Sequence, residues 1–130
     1  MPPAFLSCDD VLEIHKDLIR AFGGSEGVRD MGLLQSAVAM PQSGFGDAYF
    51  YSDHFEMAAA YLFHLVQNHP FIDGNKRTGL VAAIAFLGIN RVELQADPDA
   101  LFDLVMGVAR SACSKAEVAV FLKQNTRARR

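Results

Sequence analysis

Residues 69–77 cannot be ordinary helix throughout, although apolar residues at helical spacing lead up to them and resume beyond them. The run reads His69, Pro70, Phe71, Ile72, Asp73, Gly74, Asn75, Lys76 and Arg77. Pro70 disfavours the α region at the residue before it, which holds His69 in an extended or turn conformation. Gly74 supplies backbone freedom just before the next apolar-periodic segment begins. The run is therefore a tight loop feeding the N-terminus of a helix, where unpaired N–H groups and the helix dipole attract anions. A polyphosphate is the obvious candidate.

Elsewhere the apolar spacing predicts helices. Ser7 and Asp10 cap a first helix with Val11, Ile14, Leu18, Ile19 and Phe22 on one face, ended by Gly23 and Gly24. Asp30 opens a short second helix through Leu34 and Val38, stopped before Pro41. Asp53 and Glu56 form a capping-box pattern for a third, which carries Phe55, Ala59, Leu62, Phe63 and Val66 into the loop. The fourth begins near Asn75 and runs through Leu80, Val81, Ile84 and Leu87 to Gly88. Asp97 and Pro98 start a fifth with Leu101, Leu104, Val105 and Val108 inward. Ser114 with Glu117 starts a sixth bearing Val118, Phe121 and Leu122.

The expected fold is all-α, one compact domain of about six helices over residues 1–130. Its Ala-rich fourth helix is nearly enclosed and holds Asn75, Lys76 and Arg77 rigidly at its first turn. Residues 41–51 have two Gly, four aromatics and no helical period, and read as a loop or short hairpin before the third helix. Residues 126–130 read as a flexible basic tail, solvated and frayed.

Composition closes off several function classes. A hydrophobic share of 51% argues against disorder, and a net charge of −3 argues against general nucleic-acid binding. No apolar run is long enough to span a bilayer and residues 1–7 do not read as a signal peptide, so no membrane role and a cytoplasmic location are expected. Cys8 and Cys113 fit no metal or redox spacing. His15, His54 and His64 have no partner at metal-ligand spacing and are assigned structural or surface roles. Gly74, Asn75, Lys76 and Arg77 do not make a P-loop, because the earlier Gly and the following Ser or Thr of that motif are missing.

Residue types within the loop suit phosphate chemistry one by one. Histidine is the side chain that can take up a proton near neutral pH without a large shift, so His69 is the candidate general base for a hydroxyl nucleophile. Asp73 offers hard oxygen ligands, and Mg²⁺ prefers one or two carboxylates together with phosphate oxygens and waters. Asn75 can present side-chain and backbone donors, Lys76 a point charge, and Arg77 a forked donor for a phosphate. Phosphoryl and nucleotidyl transfer need mainly positioning, charge neutralisation and one base.

The order of these residues closely resembles the Fic/Doc signature, His-x-Phe-x-(Asp/Glu)-(Gly/Ala)-Asn-(Gly/Lys)-Arg. Phe22 to Gly24, Asp30 with Gly32 to Leu34, residues 55–62 and residues 78–87 continue the likeness. AMP-transferases of the Fic branch usually carry Gly between the Asn and the Arg, where it opens a backbone pocket for a nucleotide phosphate. Lys76 stands there instead and looks like the Doc ("death on curing") branch of toxin–antitoxin toxins. Pro70 and Gly74 look Fic-like.

The resemblance implies a kinase that uses Mg²⁺ and ATP to phosphorylate elongation factor Tu and arrest growth. His69 would act as base, Asp73 would hold the metal, and Gly74, Asn75, Lys76 and Arg77 would bind phosphates. Residues 41–51 would be the flap that aligns a target segment by strand-like pairing, with freedom from Gly44 and Gly46. Many Fic proteins silence themselves with (Ser/Thr)-x-x-x-Glu-(Gly/Asn). The nearest candidate, Glu26 with Gly27, has Phe22 where Ser or Thr is required. Restraint then falls to a separate antitoxin, whose disordered C-terminal segment would fold into a groove near the site. Two alternatives stand beside this reading: a Fic-type AMP-transferase, and a non-catalytic helical binding module.

Overall fold

Five of the six helix starts carry a side-chain cap, and the computed structural model, which describes residues 2–128, places all six helices where the sequence signals lie. Helix α1 (Cys8–Phe22) begins at a reciprocal capping box in which Ser7 and Asp10 satisfy each other's backbone N–H, and it ends at Gly23, φ 83°. Asp30 caps α2 (Met31–Ala39), which passes into a 3₁₀ turn, Met40–Gln42. Asp53 caps α3 (His54–Asn68) by accepting from Glu56 N. The Glu56 carboxylate turns back to Ser52 rather than Asp53, so this box closes one residue earlier than the sequence pattern suggests. Helix α4 (Asn75–Ile89), α5 (Pro98–Ala109) and α6 (Lys115–Gln124) complete the set.

Helices α3 and α4 form the centre because small residues let them approach closely. Ala58, Ala59 and Ala60 on α3 and Gly79, Ala82 and Ala83 on α4 are all buried. A methyl group at Gly79 would stand 2.9 Å from Val66 Cγ2 and 3.1 Å from the Leu62 carbonyl oxygen. Tyr61, Phe71, Phe86, Leu62, Leu65 and Leu87 fill the space around this contact and are fully buried. The enclosure of α4 follows, and with it a fixed position for its first turn. Among the described residues, no helix is long and apolar enough to cross a membrane.

Four features differ from the sequence reading or make it more specific. Phe22 was expected inward on α1 but is 62% exposed; His15, on the stripe between Val11 and Ile19, takes the buried place. Thr126–Ala128 is strand β4, not a frayed tail, and pairs antiparallel with β3 (Val92–Leu94). Arg129 and Arg130 lie outside the described residues. His69, for which extended and turn conformations stood open, takes a left-handed turn at φ 52° and ψ 52°.

The fourth difference concerns residues 41–51. They do contain a short hairpin, with β1 (Gly44–Phe45) paired to β2 (Ala48–Tyr49). It sits, however, at the end of the bundle away from the 69–77 loop. Helix α2 starts beside that loop, with Asp30 N donating to Pro70 O, and carries the chain away over nine residues, about 13 Å. Tyr49 then packs on Phe5, which stacks on Phe86. Phe86 is about 16 Å along the α4 axis from Asn75. A hairpin there does not reach His69, so the flap role expected from the resemblance has no geometric support.

Candidate functional site

The 69–77 loop is held from three sides. Residues 27–30 lie against it in a strand-like bridge: Ile72 N donates to Gly27 O at 3.1 Å and Arg29 N to Pro70 O at 2.7 Å, with Val28 opposite Phe71. From α1, the His15 ring stacks on Phe71 at 3.8 Å and nearly parallel, and its Nε2 lies 2.8 Å from Asp73 O. A carbonyl only accepts, so that nitrogen carries the proton. The third hold is internal. Asn75, 5% exposed, accepts from Phe71 N at 2.9 Å and donates to Phe71 O at 3.0 Å.

This last contact changes the reading of Asn75. Its amide was expected to face a phosphate; it is engaged with the Phe71 backbone in both directions, and what it presents to a ligand is its helical N–H. The inward, anchoring position expected for Phe71 is observed: the ring is fully buried.

Asp73 is exposed and its carboxylate is oriented by two backbone donors, Gly74 N at 2.8 Å and Ser25 N at 3.2 Å. Those hydrogen bonds, first that of Ser25 and then that of Gly74, hold its pKa below the usual carboxylate value, with smaller help from His15 and Lys76. Gly24 makes the approach possible: a Cβ there would stand 2.6 Å from Asp73 Oδ2. The paired glycines thus end α1 and leave room for the carboxylate.

Gly74 is left-handed at φ 79° and, as N-cap of α4, offers no side chain to the first-turn N–H groups. Those donors remain directed at whatever lies before the helix. Lys76 and Arg77 are exposed, and neither takes part in the ion pairs found among the described residues, Arg20 with Asp17 and Arg127 with Glu93. The Arg77 guanidinium instead rests 4.4 Å above the Phe22 ring, which accounts for that outward phenylalanine.

Asp73, Gly74, Asn75, Lys76 and Arg77 together line one side of a cleft of about 460 Å³. Its other side is apolar, built from Leu80 and from Pro98, Leu101, Phe102, Val105 and Met106 of α5. His69 does not line this cleft; it stands exposed at the adjoining end of α3. Among the described residues, no group of three or more His, Cys, Asp and Glu side chains is placed to enclose a metal ion. The donor set fits a cation held by one carboxylate and completed by phosphate oxygens and water, which is the habit of Mg²⁺.

Arg29, His15, Phe22 and Ser25 were not singled out as site residues. Only His15 had a usable local signal, its place on the apolar stripe of α1; the others act across 39 or more residues of sequence.

Comparison with known proteins agrees with this geometry. The profile of the Fic/DOC family matches residues 5–87, which include α1 to α3, all but the last two residues of α4 and the whole 69–77 loop. The chain is 45% identical over 104 residues to the Toxin Doc of Mycolicibacterium smegmatis, covering 78% of this chain and 80% of that one. It is 32% identical over 119 residues to the Protein kinase doc of Escherichia phage P1, covering 92% and 93%. On the extent of the family match and on both relatives, this chain belongs to the Fic/DOC family.

Proposed function

We propose that this protein is a Doc-type toxin that transfers a phosphoryl group from Mg·ATP to a hydroxyl of a translation factor, elongation factor Tu in the first instance. The observation that carries this reading is the pair of exposed cations, Lys76 and Arg77, outside the ion pairs found among the described residues and placed at the uncapped start of a buried helix. In this account the triphosphate lies against their side chains and the first-turn amides, and the nucleoside rests on the apolar wall of the cleft. Asp73, kept ionised, would hold Mg²⁺, which neutralises phosphate charge. His69 takes the proton from the acceptor hydroxyl as that oxygen attacks phosphorus and ADP leaves. Lys76 in the Fic glycine position crowds the α-phosphate pocket and turns the γ-phosphate toward the acceptor.

Restraint comes from a cognate antitoxin. No self-inhibitory motif precedes the site, and Phe102, 63% exposed on the cleft's apolar wall, offers a disordered antitoxin tail a surface that the nucleotide also needs. Mass spectrometry of purified translation factors after treatment with Mg·ATP tests the reaction. One added phosphate on elongation factor Tu, lost with His69→Ala, is expected. An added AMP would move the protein to the nucleotidyl-transfer reading. Growth arrest undiminished by His69→Ala would leave only binding by occupancy.

A further inference from the structure

We infer that Arg29 is a positioning residue for His69, fixing the left-handed backbone from which the imidazole projects; this rests on the reading of His69 as the general base. A non-glycine residue at φ 52°, ψ 52° is uncommon and needs surrounding contacts to hold it. A helix ending on a left-handed residue usually closes by donating the next backbone N–H groups back to its last carbonyls. Here the next residue is Pro70, which has no N–H. That closure would in any case serve carbonyls deeper in α3; those of Asn68 and His69 lie past the last intrahelical bond and need a donor from elsewhere.

Arg29 supplies it. Its Nε donates to His69 O at 2.7 Å and its Nη2 to Asn68 O at 2.9 Å, so one planar fork spans the carbonyls on both sides of the turn. Its positive charge also stands at a helix C-terminus, where the dipole favours it. The base of the fork is itself fixed, because Arg29 N donates to Pro70 O. On the far side Asn68 Nδ2 donates to Leu33 O, tying the same corner to α2. Arg29 does not line the cleft beside α4, so its charge is committed to the base and not to the phosphates.

Two consequences separate this role from ordinary support of the fold. Losing the fork should misdirect the imidazole and lower kcat, while ATP, held on α4, binds as before. Lys at this position places one point donor where two diverging ones are needed, so it should restore little. The test uses the full chain as wild type, Arg29→Met and Arg29→Lys. It measures kcat and KM for ATP with elongation factor Tu as acceptor, and the residue 69 backbone by its three-bond HN–Hα coupling and Cα shift. Expected are a kcat lowered about tenfold to a hundredfold, KM for ATP within about twofold of wild type, and loss of the left-handed signature at residue 69. An unchanged left-handed signature in both variants overturns the inference, as does a loss confined to KM. Should Arg29→Met not fold, Arg29→Lys carries the same comparison. Absence of any group transfer by the wild type would refute the reading of His69 as base, while the backbone measurement would still decide what Arg29 holds.

Discussion

Replacing Asn75 with Ala separates a loop brace from a phosphate ligand. The side chain is 5% exposed and closes two hydrogen bonds on the backbone of the fully buried Phe71, at 2.9 and 3.0 Å. Ala leaves a buried N–H and a buried carbonyl without partners, and each such group costs about 1–3 kcal/mol. Ala is a somewhat better helix former than Asn, which offsets about half a kcal/mol. The net expectation is a destabilisation of about 1.5–5.5 kcal/mol, a large share of the roughly 5–15 kcal/mol that holds a domain folded. For a chain of this size the melting temperature should drop by about 5–20 °C. Thermal and urea unfolding measure this, and calorimetric titration with Mg·ATP measures affinity on the folded fraction. A melting temperature within about 2 °C of wild type, together with an ATP affinity weakened about tenfold, would show that Asn75 serves the ligand directly and that the brace has been misread.

Three further outcomes follow from single contacts. Burial, and secondarily Lys115 3.0 Å away, lower the His64 pKa to about 4, whereas in the unfolded chain it titrates near its ordinary value. Below pH ~6.5 the unfolded chain takes up a proton that the folded one refuses, so stability should fall as pH drops from ~6.5 toward ~4. Discounted for partial exposure, the loss is about 1–2 kcal/mol, and His64→Gln should flatten that part of a pH series of urea unfolding curves. Gly79→Ala forces a methyl group to 2.9 Å from Val66, and its overpacking should outweigh the helix-propensity gain for a net loss of about 1–2 kcal/mol by chemical denaturation. Lys76→Gly should lower γ-phosphate transfer at least about tenfold and bring in AMP transfer, read with ATP labelled separately at the two positions.

Local chemistry made most of the framework legible. Ser7 with Asp10, Asp30, Asp53, Pro98 after Asp97, and Ser114 with Glu117 each mark a helix start by side-chain groups within three residues of the donors they satisfy. Pro70 and Gly74 break the helical pattern between α3 and α4 for reasons carried by their own backbones. What the sequence hides is which distant segments meet. The Arg29 fork reaches a carbonyl 40 positions away, and His15 reaches one 58 positions away. Neither separation leaves a periodic trace. Phe22 fell on the wrong side for a related reason: apolar spacing marks it as core, while its partner is the cation of Arg77. Residues 126–128 look like a polar tail until β3 gives their backbone a partner. The hairpin after α2 was legible as a loop or short hairpin, but its distance from His69 depends on the direction of α2, which no local signal sets.

The most direct test of the cationic cradle is a crystal structure with Mg²⁺ and a non-hydrolysable ATP analogue. The triphosphate should lie against Lys76, Arg77 and the first-turn amides of α4, with the metal on Asp73 and the γ-phosphate turned toward His69. A triphosphate bound away from that helix start, or Asp73 bare of metal in a fully occupied complex, would contradict the account.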